Sequence, residues 1–175
     1  MRLSRKPEAV ANAACRMTLD PLTLARAVHV LAIVHWIGGV SVVTTIVLPQ
    51  ARRMADPAAA LQVFEAFERR FARQARISIL LAGLSGLYML HALDAWDRFR
   101  DASFWWLHLM VAVWLVFAVM IYALEPLFVH ERFGRLTLAE PGRAFSLAIR
   151  LHAGALAVSA LTIAAGVLGT HGALY

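Results

Sequence analysis

Apolar residues fall in long unbroken blocks along this chain. The first, Ala27 to Pro49, reads AVHVLAIVHWIGGVSVVTTIVLP and holds no formally charged residue. About 20 mostly apolar residues cross a bilayer as a helix, so this block predicts a span over roughly 22–48. Three further blocks predict spans over about 77–93, 104–124 and 147–170. Lipid offers backbone amides no partner, so only helices and closed barrels cross it, and these blocks are too long for barrel strands. The expected fold is all-α, an integral membrane four-helix bundle over 22–175 behind a basic tail over 1–21.

Local signals set the expected boundaries. Thr18, Asp20 and Pro21 read as the start of span one, and Pro49 as its end. Asp56-Pro57 opens a further helix in which Leu61, Phe64, Phe67 and Phe71 recur at helical spacing. Arg69, Arg70, Arg73 and Arg76 occupy the rest of that segment. It reads as a basic amphipathic helix between spans one and two, lying on the membrane surface or extending span two into water. Gly83, Ser85 and Gly86 permit close helix approach in span two. Trp96, Trp105 and Trp106 crowd the loop 94–103 as an interfacial aromatic belt. Glu125-Pro126 is expected to end span three, with Glu125 exposed, and a loop then runs through Gly142.

Composition agrees with the blocks. Of 175 residues, 61% are hydrophobic and the mean hydropathy is +0.66, far above a soluble domain. The formal charge is +6, and Lys6 is the only lysine. The arginines flank the apolar blocks, which assigns them to the membrane surface rather than to nucleic acid. The first and third loops carry more cations than the tail and second loop, which favours both termini on the periplasmic side of a bacterial inner membrane. Cys15 alone excludes an intramolecular disulfide and a thiolate cluster. The string ANAAC has the look of a lipoprotein cleavage box, but no apolar segment precedes it, and span one is too long for a signal core. The spans hold almost no carboxylates, unlike a proton-coupled transporter.

Histidine carries the candidate chemistry. Antiparallel threading at 1.5 Å per residue places His29, His91, His108 and His171 near one membrane face. His35 lies deeper, His152 near the opposite face and His130 in the opposite loop. A b-type haem needs axial imidazoles from facing helices, and copper accepts the same donors. Trp36 falls two turns after His29, beside Gly38 and Gly39, where small residues leave a slot for a planar macrocycle. Arg26, Arg98 and Arg100 suit haem propionates or lipid phosphates. The plain alternative is that each histidine snorkels to water from a helix end, and that Trp36 simply packs on glycine.

The string RAVHVLAIVHWIGGVSVVTTIVLP resembles the opening helix of the HemJ-type protoporphyrinogen oxidase and CopD-like membrane families, which carry His, then Trp-x-Gly, then Leu-Pro; these are His29, Trp36, Gly38 and Leu48-Pro49 here. WWLHLMVAVWLVFAVMIY resembles the HemJ helix with Trp-Leu-His-x-Lys, matched by Trp106, Leu107 and His108, with Met110 where that motif has Lys. The resemblance covers roughly 24–122. It implies a four-helix bundle with b-type haem in HemJ-like relatives, or copper handling in CopD-like ones, and carries over His29 and His108 as ligands. His91, His152 and His171 rest on depth alone. Met110 counts against protoporphyrinogen oxidation. The expected function is a haem b protein passing electrons between a membrane donor such as a quinol and a redox partner. The alternatives are a copper-handling protein and a cofactor-free structural subunit. Association with a second copy stays open.

Overall fold

The computed structural model describes residues 20–174, without the side chains of 126–131. The tail, with Cys15 and Thr18, and the ring of His130 therefore lie outside the described residues. Four helices are long and apolar enough to cross a membrane: Pro21–Arg53, Pro57–Ala92, Ala102–Glu125 and Pro141–Thr170. The chain is a multi-pass helical membrane protein. We label its helices α1 (Pro21–Arg53), α2 (Pro57–Ala92), α3 (Trp105–Val119), α4 (His130–Ala139) and α5 (Pro141–Thr170).

The helix starts follow the local chemistry. Asp20 caps α1, accepting from the Thr23 hydroxyl at 2.9 Å and the Thr23 amide at 3.0 Å, with Pro21 in the first turn. Those bonds hold its carboxyl below the ordinary range. Asp56 caps α2 through the Ala58 amide at 2.9 Å.

Two prolines behave otherwise than expected. Neither Pro49 nor Pro126 ends its helix. The backbone widens into π geometry over Val43–Val47 and over Met120–Val129. A proline lacks the amide that the preceding turn needs and its ring crowds the carbonyl there. The wider turn makes room, and the chain continues helically to Arg53 and Ala139. Near Pro49, the Thr44 and Thr45 hydroxyls donate to the carbonyls of Val40 (2.7 Å) and Ser41 (2.8 Å). The expected loop after Glu125 is thus mostly the helix α4, and α5 starts at Pro141, ahead of the expected 147.

The amphipathic segment is the first half of α2, so of its two expected placements the structure has the extension. Its stripe faces protein: Phe64 is buried with Val43, Leu48, Ala51, Ala60, Phe145 and Ala148, and Phe67, Phe71 and Phe133 close over them. A second cluster joins Trp36, Val40 and Ile79 to Trp114 and Phe117. A third, nearest the termini, is built on Trp106, Leu107 and Ala165. Trp106 is only 3% exposed and so leaves the aromatic belt to Trp96 and Trp105.

Small residues set the helix spacing. A Cβ at Gly83 would run into the Trp114 indole, one at Gly39 into the Phe71 ring and one at Gly169 into Trp106. Lipid tails are as apolar as leucine, so helices in a bilayer associate by such fitted contacts and by hydrogen bonds. Large apolar side chains such as Leu31, Val34, Ile77, Val116 and Leu161 remain on the outside, where lipid solvates them.

Gly169 and Gly154 share α5, but only Gly169 meets a neighbour. Gly169→Ala should therefore lower stability in detergent by about 1–3 kcal/mol through overpacking, whereas Gly154→Ala should not. Thermal unfolding followed by helical circular dichroism checks the contrast.

Candidate functional site: the His29 contact between α1 and α2

α1 and α2 lie antiparallel, and His29 is where polar chemistry joins them. Gly86 leaves space for the ring, whose Cε1 would stand 3.3 Å from a Cβ at that position. His29 Nδ1 is 2.9 Å from the Ala82 carbonyl oxygen and 3.0 Å from Ser85 Oγ. A carbonyl accepts only, so Nδ1 carries the proton and donates to Ala82. The Ser85 hydroxyl donates to the Leu81 carbonyl at 2.6 Å. This assignment leaves Nε2 with its lone pair. An imidazole oriented by a carbonyl through one nitrogen, with the other bare, is the form in which histidine binds metals.

The other histidines sit differently. His91, His108 and His171 are exposed, whereas His29 is half-buried. His108 Nε2 is 3.1 Å from the Phe99 carbonyl oxygen and its Nδ1 is 3.3 Å from that of Phe104, so both nitrogens face acceptors. It lines an open groove of about 390 Å³ with Phe99, Arg100, Asp101, Ala102 and Trp105. His171 Nδ1 donates to the Val167 carbonyl at 2.8 Å, as a C-terminal cap. His35 is exposed, and His152 Nδ1 donates to the Ala148 carbonyl at 2.9 Å.

Heights refine the expected layer. His29 is level with Ala82 to Gly86, so His91 stands five to nine residues beyond it, about 7–13 Å at 1.5 Å per residue. Gly83 meets Trp114, which sets His108 about 9 Å above His29 by the same rise. The common termini-side layer therefore splits into a deep, inward His29 and three outer rings. Helical phase causes the outward turn, which rise counting alone ignores. Among the described residues, no group of three or more His, Cys, Asp or Glu side chains is placed to hold a metal ion.

The expected slot is filled on its Gly39 side, while Gly38 faces open space. Trp36 is buried, with its ring edge-on to Phe117 at 4.7 Å between centroids and 83° between planes. Phe71 occupies the space over Gly39. Of the expected propionate partners, Arg98 lies over the Phe104 ring at 5.3 Å and Arg100 pairs with Asp97 at 3.3 Å, while Arg26 is exposed. The Nδ1–H tautomer of His29 is the one that metal ligands use, whereas a macrocycle between Trp36 and Gly39 does not fit.

A polar contact that the sequence does not announce lies at the other end of the spans. Glu125, expected to be exposed, accepts from Arg76 Nη2 at 2.8 Å, and its side chain is 17% exposed. The Tyr122 hydroxyl donates to the Arg76 carbonyl at 2.7 Å. A lone acid before a proline gives no hint of its partner, which is 49 residues away.

No protein-family model matches this chain, and neither a curated protein nor a solved structure matches it significantly.

The α1–α2 bond makes a direct prediction. His29→Phe should cost roughly 0.6–1.7 kcal/mol, the range for interhelical hydrogen bonds in membrane proteins, and His35→Phe should be neutral. Unfolding in mixed micelles with increasing denaturing detergent reads both.

Proposed function

We propose that this is a haem b protein of the bacterial inner membrane with an electron-transfer role, and that His29 is its axial ligand. The orientation of His29 carries the reading: a half-buried imidazole held through Nδ1 by Ala82 and Ser85, with Nε2 open. The likeness of its helix to HemJ-type and CopD-like opening helices supports the same assignment. Bound haem would supply one-electron chemistry, its potential set by ligand, burial and neighbouring hydrogen bonds. The chain's own part is to fix the ring. Ala82 holds the tautomer and Ser85 limits rotation.

His108 becomes a second ligand only by leaving the Phe99 and Phe104 carbonyls. His29 would therefore be the residue that holds the group, with His108 available to it only after that rearrangement. The excess of arginine at the α1–α2 turn and around α4 supports a cytoplasmic position for that end, with the termini periplasmic.

Absorption spectra of the protein purified after expression with added haem precursor test this. The expected result is a Soret band that shifts on dithionite reduction, is lost in His29→Ala and is retained in His108→Ala. A Soret band absent from the wild type would overturn the haem assignment, and a band surviving His29→Ala would overturn the ligand. Stoichiometric copper in metal analysis of the haem-free protein would move the same imidazole to copper handling.

A further inference from the structure

The basic half of α2 does more than flank a span. Arg69, Arg70, Arg73 and Arg76 line a cleft of about 550 Å³ together with Ala66, Ala72 and Glu125. The arginine spacing puts these side chains on neighbouring positions of one helix surface. Arg76 forms the inner wall. It is held by Glu125 at 2.8 Å, and its Nε donates to the Ile121 carbonyl at 3.4 Å. Arg69 reaches Glu65 only at 4.0 Å and keeps 64% of its side chain exposed. Arg70 and Arg73 are exposed. The two alanines leave the floor low. Positive charge exceeds negative in this cleft, and guanidinium forks match phosphate oxygens in pairs.

The cleft also sits at one defined depth. The apolar stretch of span three ends beside Arg76, because Arg76 pairs with Glu125. Immediately beyond Arg76, α2 presents Ile77, Leu80 and Leu84, all at least half exposed. A charged cleft therefore runs directly into lipid-facing surface, without a polar gap. A free phosphate uses only the first half of that arrangement; a phospholipid uses both.

We propose that the Arg69–Arg70–Arg73–Arg76 cleft binds the phosphate of an anionic phospholipid, whose acyl chains lie along Ile77, Leu80 and Leu84. Arg70 and Arg73 grip the phosphate, and Arg76, oriented by Glu125, closes the cleft on the membrane side. The site is independent of the haem assignment and stands or falls separately.

Native mass spectrometry of the full chain, released from neutral detergent with phosphatidylglycerol, phosphatidylcholine or inorganic phosphate, tests it. The wild type should retain phosphatidylglycerol in preference to phosphatidylcholine. Arg70→Gln with Arg73→Gln should lower that retention at least tenfold. Arg98→Gln with Arg100→Gln removes equal charge at the opposite end and should leave retention within twofold. If the first pair does not fold, Arg73→Gln alone should still lower retention several-fold. Equal losses in both pairs, equal retention of the two lipids, or full displacement of phosphatidylglycerol by millimolar inorganic phosphate would overturn the proposal, the last by assigning the cleft to a free anion.

Discussion

A bilayer core about 30 Å thick takes about 20 helical residues, yet α1 and α2 run for 33 and 36 residues. The excess has to leave the membrane at one end or the other, and the pairing of α1 with α2 decides which. Three contacts fix that pairing in one register: His29 with Ala82, Gly39 with Phe71, and Leu48 in one cluster with Phe64. With His29 about two turns inside the start of α1, the surplus of both helices lies at their shared turn. There it meets α4 and the start of α5. Val43, Leu48, Phe64 and Phe145 form a protein core at that end, which explains why apolar residues of α1 beyond the reach of span three are buried in protein rather than left to lipid. The arginines sit outside this core, where the chain emerges.

Inside the spans, association has a different basis. Burying leucine against leucine gains little when lipid is the alternative, so fit and hydrogen bonds decide. The repeated device here is a glycine on one helix under a large side chain from the next: Phe71 on Gly39, Trp114 on Gly83, Met110 on Gly166, Trp106 on Gly169. Trp114 also donates from its indole to the Ile79 carbonyl at 2.8 Å, so its contact is directional. These pairs lie at successive depths and tie α1 to α2, α2 to α3, and α3 to α5. A bundle held this way is specified by a few positions, and most of its surface remains free to face lipid.

Block hydrophobicity, with the caps Asp20 and Asp56, made four helices and two of their starts legible in the sequence. The ends were less so. Pro49 and Pro126 carry a breaking signal that holds in water, where freed carbonyls find solvent; here π turns absorb both and the helices continue. The basic segment 57–76 had an amphipathic stripe compatible with lipid or protein beneath it, and only the third dimension supplies Phe133 and Phe145 as its partners. Histidine depth was readable by rise counting to about two turns, because helix starts were nearly right. Which way each ring turns was not, since that depends on where neighbouring helices stand around the axis. The same limit hid Trp114 and the Arg76–Glu125 pair.

Phase also separates the histidines by role. A ring at a helix end can bond its own preceding carbonyl and meet water on its other side, as His171 does with Val167; this satisfies it locally and commits it to nothing further. His29 commits its donor to a different helix, 53 residues away, and does so eight residues into a span. Nδ1 thereby ties α1 to α2, which Phe or Leu over Gly86 would not do. Ser85 compounds the point, because its hydroxyl is already satisfied by Leu81 and yet lies against Nδ1. His29 is thus set apart from the other histidines by a donor committed to a second helix and by a serine hydroxyl placed against the same nitrogen.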